Sequence, residues 1–377
     1  GCVLDEQGNL VGIHGRAERD DQTSSSTGKS IATRTNMAVP ITYYQQLVSG
    51  EKIVASTTKA TTADDYLAKA KALLGEKGKE NEVISFANKS LNLEERASAY
   101  FYRAFAKSDL EDYIGSIGDY TKAIDLDPDD ANTYYNRAFV KSTLEDHKGA
   151  IADLDKAIDL NPDDANAYYN RAISKGSLDD YQGSIEDYTK AIEIDPDDAS
   201  AYYNRGIAKD NLKNYQGSIE DYTKAIEIDP EKVNAYYNRG LIKDNLEDYQ
   251  GAIKDYTKAI DIDPNYIDAY YNRGLIKENL DDYYGAIFDY TKAIEIDPKY
   301  AYAFAARGDV KNLLKDYKGA IKDFNKAIEI DPKYEWAYVA RSSSKLFLKD
   351  YKGAIKDLDK AIELDPKYAF AYDERGD

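Results

Sequence analysis

The sequence predicts a mainly α chain: a right-handed α-solenoid, a superhelix of stacked helix pairs, with a small β segment at its N-terminus. Three observations predict it. Pro128, Pro162, Pro196, Pro230, Pro264, Pro298, Pro332 and Pro366 recur every 34 residues, and only Pro40 lies outside the series. Between consecutive prolines the apolar residues fall twice into helical spacing. Residues 1–62 have another character, with short alternating runs and Ser/Thr clusters. A fixed period of this length marks stacked supersecondary units that bury their apolar faces on their neighbours.

One unit, Ala199 to Lys232, shows the logic. Tyr202, Gly206, Ile207 and Leu212 line one face of a first helix. Lys213-Asn214-Tyr215 forms a turn. Ile219, Tyr222, Ala225, Ile226 and Ile228 line a second helix, which Asp229-Pro230 ends because proline cannot continue it and disfavours helix in the residue before it. At the preceding junction Asp197-Asp198 stand where a helix starts, placed to accept from its free amides and to complement its dipole. Small residues recur where helices must touch: Ala123, Ala157, Ala191, Ala225, Ala259, Ala293, Ala327 and Ala361 at one position. Gly206, Gly240, Gly274 and Gly308, with Ala104, Ala138 and Ala172, occupy another. A mid-helix Gly costs about 1 kcal/mol against Ala, so its repeated use predicts close backbone approach.

This order of residues resembles the tetratricopeptide repeat (TPR) family, and the resemblance covers residues 97–377. It divides the chain into a β remnant at 1–50, a Ser/Thr linker at 51–62 and a degenerate unit at 63–96. Eight full units follow at 97–368, and an incomplete ninth at 369–377. Within 63–96, Tyr66, Ala70 and Phe86 stand near the right places without a proline. The resemblance implies a fold and a role in protein–protein interaction; it does not by itself specify a partner.

Composition bounds the function. The 377 residues are 42% apolar and 32% charged, with a net charge of −19. That balance argues against a nucleic-acid footprint, which is basic. It favours basic or neutral partners. Tyr occurs 35 times against one Trp and nine Phe, the mark of a half-buried, half-wet position used repeatedly. Cys2 alone makes no internal disulfide. No apolar run is long enough for a membrane span.

Two polar series repeat. Arg103, Arg137, Arg171, Arg205, Arg239, Arg273, Arg307 and Arg341 are equivalent, as are Asp119, Asp153, Asp187, Asp221, Asp255, Asp289, Asp323 and Asp357. Either they line a charged groove, or each Arg pairs with an Asp and joins the two helices of its unit; the pair is expected, because a lone charge there would be costly. The second series joins Tyr135 to Asn136, Tyr169 to Asn170, Tyr203 to Asn204, Tyr237 to Asn238 and Tyr271 to Asn272. In TPR proteins this flank lines the interior of the superhelix. An Asn both donates and accepts, so a row of them can hold an extended peptide backbone whatever its sequence. The row is similar to the asparagine ladder of O-linked N-acetylglucosamine transferases. Phe304-Ala305-Ala306 and Tyr338-Val339-Ala340 interrupt it, so the groove is expected to fade toward the C-terminus. Asp-rich turns such as Asp127-Pro128-Asp129-Asp130 match no calcium loop and are expected to cap helices, so no metal and no cofactor is expected.

In the N-terminal segment, Val3-Leu4 and Leu10-Val11-Gly12-Ile13-His14 flank a turn and read as a hairpin, and Met37 to Ile41 as a third strand. Gly1 to Gly15 is similar to the end of trypsin-like serine protease domains, and Met37 to Leu47 to their last strand and terminal helix. The match departs at Cys2, where proline is expected. The nucleophile and its His and Asp partners are absent from this chain, so no triad assembles and no enzyme activity is expected. His14 and His147 read as structural. The protease resemblance implies a secreted, extracellular or periplasmic setting. Asn88-Lys89-Ser90 is the one N-glycosylation sequon.

Three functions follow as expectations. The first is a scaffold binding an extended peptide or protein along the concave Tyr/Asn surface. The second is a protomer of a head-to-tail filament. Junctions change from Pro128-Asp129-Asp130 to Pro332-Lys333-Tyr334 and Pro366-Lys367-Tyr368. Strand residues Val3, Leu4, Leu10, Val11 and Ile13, with Lys333 and Lys367, would form its contacts as a homo-oligomer. The third is the C-terminal fragment of a secreted TPR-bearing protease, cut from a longer chain.

Overall fold

The computed structural model describes residues 62–376 and, before them, only the backbone of residues 2–4 and 10–13. Those two stretches, β1 (Cys2–Leu4) and β2 (Leu10–Ile13), pair antiparallel with Cys2 opposite Ile13 and a register shift between Val3 and Leu4. The expected third strand at Met37 to Ile41, the helix running to Leu47, His14 and the linker before Thr62 lie outside the described residues.

The described chain beyond Thr62 is mainly α, nineteen helices in a solenoid arrangement that falls into two compact units, residues 1–214 and 215–377. The first unit holds α1 (Ala63–Leu73), α2 (Glu80–Leu91), α3 (Ala97–Asp109), α4 (Tyr113–Leu126), α5 (Ala131–Thr143), α6 (His147–Leu160), α7 (Ala165–Ser177), α8 (Tyr181–Ile194) and α9 (Ala199–Asn211). The second holds α10 (Tyr215–Ile228), α11 (Val233–Asn245), α12 (Tyr249–Ile262), α13 (Ile267–Asn279), α14 (Tyr283–Ile296), α15 (Ala301–Leu313), α16 (Tyr317–Ile330), α17 (Glu335–Phe347), α18 (Tyr351–Leu364) and α19 (Ala369–Arg375). No described helix is long and apolar enough to cross a membrane.

Local chemistry fixes each boundary. First helices end in a left-handed residue: Glu111, Glu145, Asp179, Lys213, Glu247, Asp281, Lys315 and Lys349 all have φ near +60°. Around Glu247 the amide of Asp248 donates to the Lys243 carbonyl at 2.8 Å and that of Glu247 to Asp244 at 2.9 Å, the paired bonds of a Schellman cap. The next residue caps the following helix. Asp248, for example, accepts from the Gly251 amide at 3.0 Å, and Asp112, Asp146, Asp180, Asp282, Asp316 and Asp350 do the same. The recurring Asp–x–x–Gly is therefore a start signal for second helices. First helices α5, α7 and α9 start on Asp130, Asp164 and Asp198, whose side chains accept from the second residue beyond, as expected for these turns.

Packing follows the repeat. Tyr120, Leu154 and Tyr188 in the first unit, and Tyr256, Tyr290, Phe324 and Leu358 in the second, are buried between helices with the recurring alanines. The glycine expectation holds in the second unit. A Cβ on Gly240 would lie 2.8 Å from Tyr256, and on Gly274 and Gly308 2.7 Å from Tyr290 and Phe324. In α1 and α2, Tyr66 stacks on Phe86 at 6.4 Å, and Ala70 is fully buried.

The Arg–Asp pairing also forms. Arg137 reaches Asp153 with Nε at 2.8 Å and Nη2 at 2.6 Å, a bidentate contact joining α5 to α6. The same fork joins Arg103 to Asp119 and Arg171 to Asp187, and in the second unit Arg239 to Asp255, Arg273 to Asp289, Arg307 to Asp323 and Arg341 to Asp357. A lysine four residues after each arginine completes the site; Lys141 lies 2.8 Å from Asp153. The remaining guanidinium nitrogen reaches back to the preceding second helix, as from Arg137 to Thr121 at 3.0 Å. Each carboxylate thus holds two cations, and each arginine ties three helices.

Candidate peptide-binding face

The Tyr/Asn series lies along the first helices. Asn170 of α7 donates from Nδ2 to the hydroxyl of Tyr135 on α5 at 2.7 Å, and Asn204 of α9 to Tyr169 of α7 at 2.7 Å. In the second unit Asn272 of α13 donates to Tyr237 of α11 at 2.9 Å. Each rung therefore joins one repeat to the one before it. Asn136 is buried and turns its amide to the Asn132 carbonyl at 2.7 Å. Tyr203 and Asn238 occupy the same positions of α9 and α11 and are half-buried. Burial raises the phenols of Tyr135 and Tyr237, and a neighbouring carboxylate, Asp164 and Asp268 respectively, adds to this.

The amide orientation matters for chemistry. Asn170, Asn204 and Asn272 spend their donor side on tyrosine and keep the Oδ1 carbonyl for an incoming donor. Within the first unit, half-buried acceptors such as those of Asn170 and Asn204 are of the kind that can take backbone N–H groups of an extended chain.

In the second unit the Asn series stops after Asn272, and the residues before the first helices change. At the residue before each first helix, aspartate gives way to Lys232, Tyr266, Tyr300, Tyr334 and Tyr368, none with a side-chain cap bond. The tyrosines pack on the rings of the first helices instead: the ring of Tyr266 lies 5.0 Å from that of Tyr237, and the ring of Tyr300 5.3 Å from that of Tyr271. The Tyr271 phenol is pushed up to about 12, by burial first and by Glu278 next. Tyr302 and Trp336, one repeat apart in α15 and α17, are 42% and 40% exposed. Tyr266, Tyr300, Tyr334 and Tyr368 recur in the sequence at 34-residue intervals, beside the charges of the same junctions.

The remaining expected residues are scattered. Lys333 and Lys367 are exposed in the loops before α17 and α19, their backbone amides bonded to Asp331 and Asp365. Val3, Leu4, Leu10, Val11 and Ile13 belong to β1 and β2, described as backbone only. Asn88 in α2 accepts from Arg103 at 2.6 Å, and the Ser90 hydroxyl is buried against the Ala63 carbonyl at 2.9 Å. His147 opens α6 with Nδ1 buried and without a hydrogen-bond partner.

Comparison with known proteins agrees with the repeat. Tetratricopeptide repeat models match residues 199–232, 233–266, 267–300, 301–334 and 337–368, and a TPR repeat model matches 143–176 and 177–209. No curated protein matches the chain. Among solved structures, MamA is 27% identical, with 43% of this chain and 94% of that one covered and a TM-score of 0.42. YrrB, described as a TPR protein with an unusual peptide-binding site, is 25% identical, with 49% and 96% covered and a TM-score of 0.45. The C-terminal part of a TPR repeat-containing protein from Cytophaga hutchinsonii shares the fold at a TM-score of 0.57 and 18% identity, over 64% of this chain and 98% of that one. The family models together span more than half of the chain, on the same helix pairs that the Arg–Asp forks and glycine contacts hold together: the chain belongs to the tetratricopeptide repeat family.

Proposed function

We propose that this chain is a non-catalytic scaffold that binds an extended peptide, or an extended segment of a protein, along the Tyr/Asn face of its first helices. One observation carries the reading. Asn170, Asn204 and Asn272 are fixed by the tyrosine of the preceding repeat, and each keeps an acceptor to offer. Peptides selected from a displayed random library supply the probe. Replacing Asn170 and Asn204 with Ala is expected to weaken the selected peptides several-fold in a calorimetric titration. Unchanged affinity in a folded variant would reduce the row to an internal brace.

A second reading, the head-to-tail filament, is favoured by the exposed junction loops. Asp129 and Asp163 give an acidic surface in the first unit, Lys333 and Lys367 a basic one in the second. Such heterologous contacts propagate when they do not close a ring. Reversing Lys333 and Lys367 to Glu is expected to abolish concentration-dependent growth in sedimentation. A chain that stays monomeric at every concentration excludes this reading.

A further inference from the structure

The second unit carries one stretch of this face unlike the rest. Tyr300 lies 5.3 Å from Tyr271 and 6.2 Å from Tyr302, and Tyr302 lies 5.0 Å from Tyr334. Two carboxylates sit among these rings. Asp309 of α15 accepts from the Trp336 indole at 3.0 Å, and Glu278 of α13 accepts from the Tyr290 hydroxyl at 2.8 Å. No Lys or Arg among the described residues pairs with either: Lys277 and Lys311, their neighbours in sequence, are committed to Asp289 at 2.8 Å and Asp323 at 2.6 Å.

Duplication accounts for only part of this. The residues equivalent to Asp309 in the four preceding repeats are Leu275, Leu241, Ile207 and Ile173, and those equivalent to Tyr302 and Trp336 include Asn166 and Asn234. Glu278 has acidic counterparts in Asp244 and Asp210, and Tyr300 and Tyr334 have counterparts in Tyr266 and Tyr368, but Asp309, Tyr302 and Trp336 depart from the preceding repeats and meet the recurring groups here. Two half-buried carboxylates without a counter-ion destabilise each other. Burial raises Asp309 to about 7, the Trp336 bond opposing and Glu278 adding, and burial raises Glu278 as well. Aromatic faces attract cations, and the attraction grows where water is partly excluded. A cation entering here would meet aromatic rings and carboxylate oxygens, and its charge would favour the ionised form of both acids.

We propose that this aromatic–carboxylate box of the second unit binds a Lys or Arg side chain of an extended basic peptide. The inference rests on the reading of this face as a peptide surface. The test titrates the full chain with a Lys-rich unstructured peptide and with its Gln and Glu versions of the same length. The Lys peptide is expected to bind about tenfold tighter than the Gln peptide, equal to roughly 1.4 kcal/mol. Added salt should narrow that gap. Asp309→Asn and Glu278→Gln should bring the Lys peptide close to the Gln level while thermal unfolding shows an intact fold. Equal binding of all three peptides, preference for the Glu version, or a Lys peptide indifferent to Asp309→Asn would overturn the inference and leave the peptide surface standing. Binding of none of the three, nor of library-selected peptides, would overturn both.

Discussion

The side-chain amide of Asn272 donates to the hydroxyl of Tyr237 at 2.9 Å, from one first helix to the first helix of the preceding repeat. In a solenoid each repeat contacts only its neighbours, so stability is a sum of units and interfaces. This bond belongs to an interface. Asn272→Ala and Tyr237→Phe are each expected to cost about 1 kcal/mol, the net worth of a typical hydrogen bond. A double-mutant cycle by thermal unfolding checks it: the pair should cost clearly less together than the sum of the singles. Additive losses would mean that the rung bears no load and that its tyrosine acts only by packing.

Asp255 holds two cations, Arg239 through a two-point contact at 2.9 and 2.6 Å and Lys243 at 2.8 Å. Its side chain is 2% exposed. Asp255→Asn keeps the shape and removes the charge, stranding both cations. We expect a loss of about 3 kcal/mol, in the range for breaking one side of a buried ion pair. The combined change Arg239→Met, Asp255→Leu, Lys243→Met should recover much of that loss, because desolvation no longer has to be offset. Chemical denaturation of the three chains decides. A triple variant as unstable as Asp255→Asn would show that the network also orients the helices.

Glu247 is exposed and held at φ +60° where a first helix turns into a second. A non-glycine residue there is strained by about 1–2 kcal/mol, and glycine is not. Glycine also gains freedom in the unfolded chain, which offsets part of the benefit. Glu247→Gly is therefore expected to stabilise by about 0.5–1 kcal/mol as a higher Tm. Gly251→Ala, four residues on, should do the reverse: its Cβ would fall 2.1 Å from Asp248 Oδ2, and the lost cap is worth about 1 kcal/mol. The eight turns share this geometry, so the same change at Glu145 or Lys315 should add.

The fold was legible because duplication wrote the same physics eight times. Proline at every thirty-fourth position, alanine at the helix contacts and Arg opposite Asp each predicted a feature that the helices display. Two things escaped for physical reasons. Lys141 and its equivalents went unassigned, since a helix places Arg and the Lys four later on one flank but does not tell which carboxylate they share. The aromatic box escaped because its parts, Tyr271, Tyr302, Asp309 and Trp336, come from different repeats and meet only when first helices stack. A change at a single repeat is faint beside a pattern written eight times.

Asp309 gives the molecule a pH dependence of defined sign. Its carboxyl is raised from 3.8 to about 7, chiefly by burial, with the Trp336 indole opposing and Glu278 reinforcing the shift. The folded state therefore prefers Asp309 protonated more strongly than the unfolded state does. The stability this gives is fully present below about pH 4, declines as pH rises, and is gone above about pH 7. Asp309→Asn mimics the protonated acid and keeps an acceptor for Trp336, so it should raise Tm at pH 8 and leave it unchanged near pH 4. Tryptophan fluorescence reports the site directly, because Trp336 is the single tryptophan of the chain. Its emission should titrate near neutrality in the parent and stay flat in Asp309→Asn. A Lys-rich peptide favours the ionised carboxylate, so its presence should move that midpoint to lower pH. A midpoint that stays fixed when the peptide is bound would place the cation elsewhere on the face.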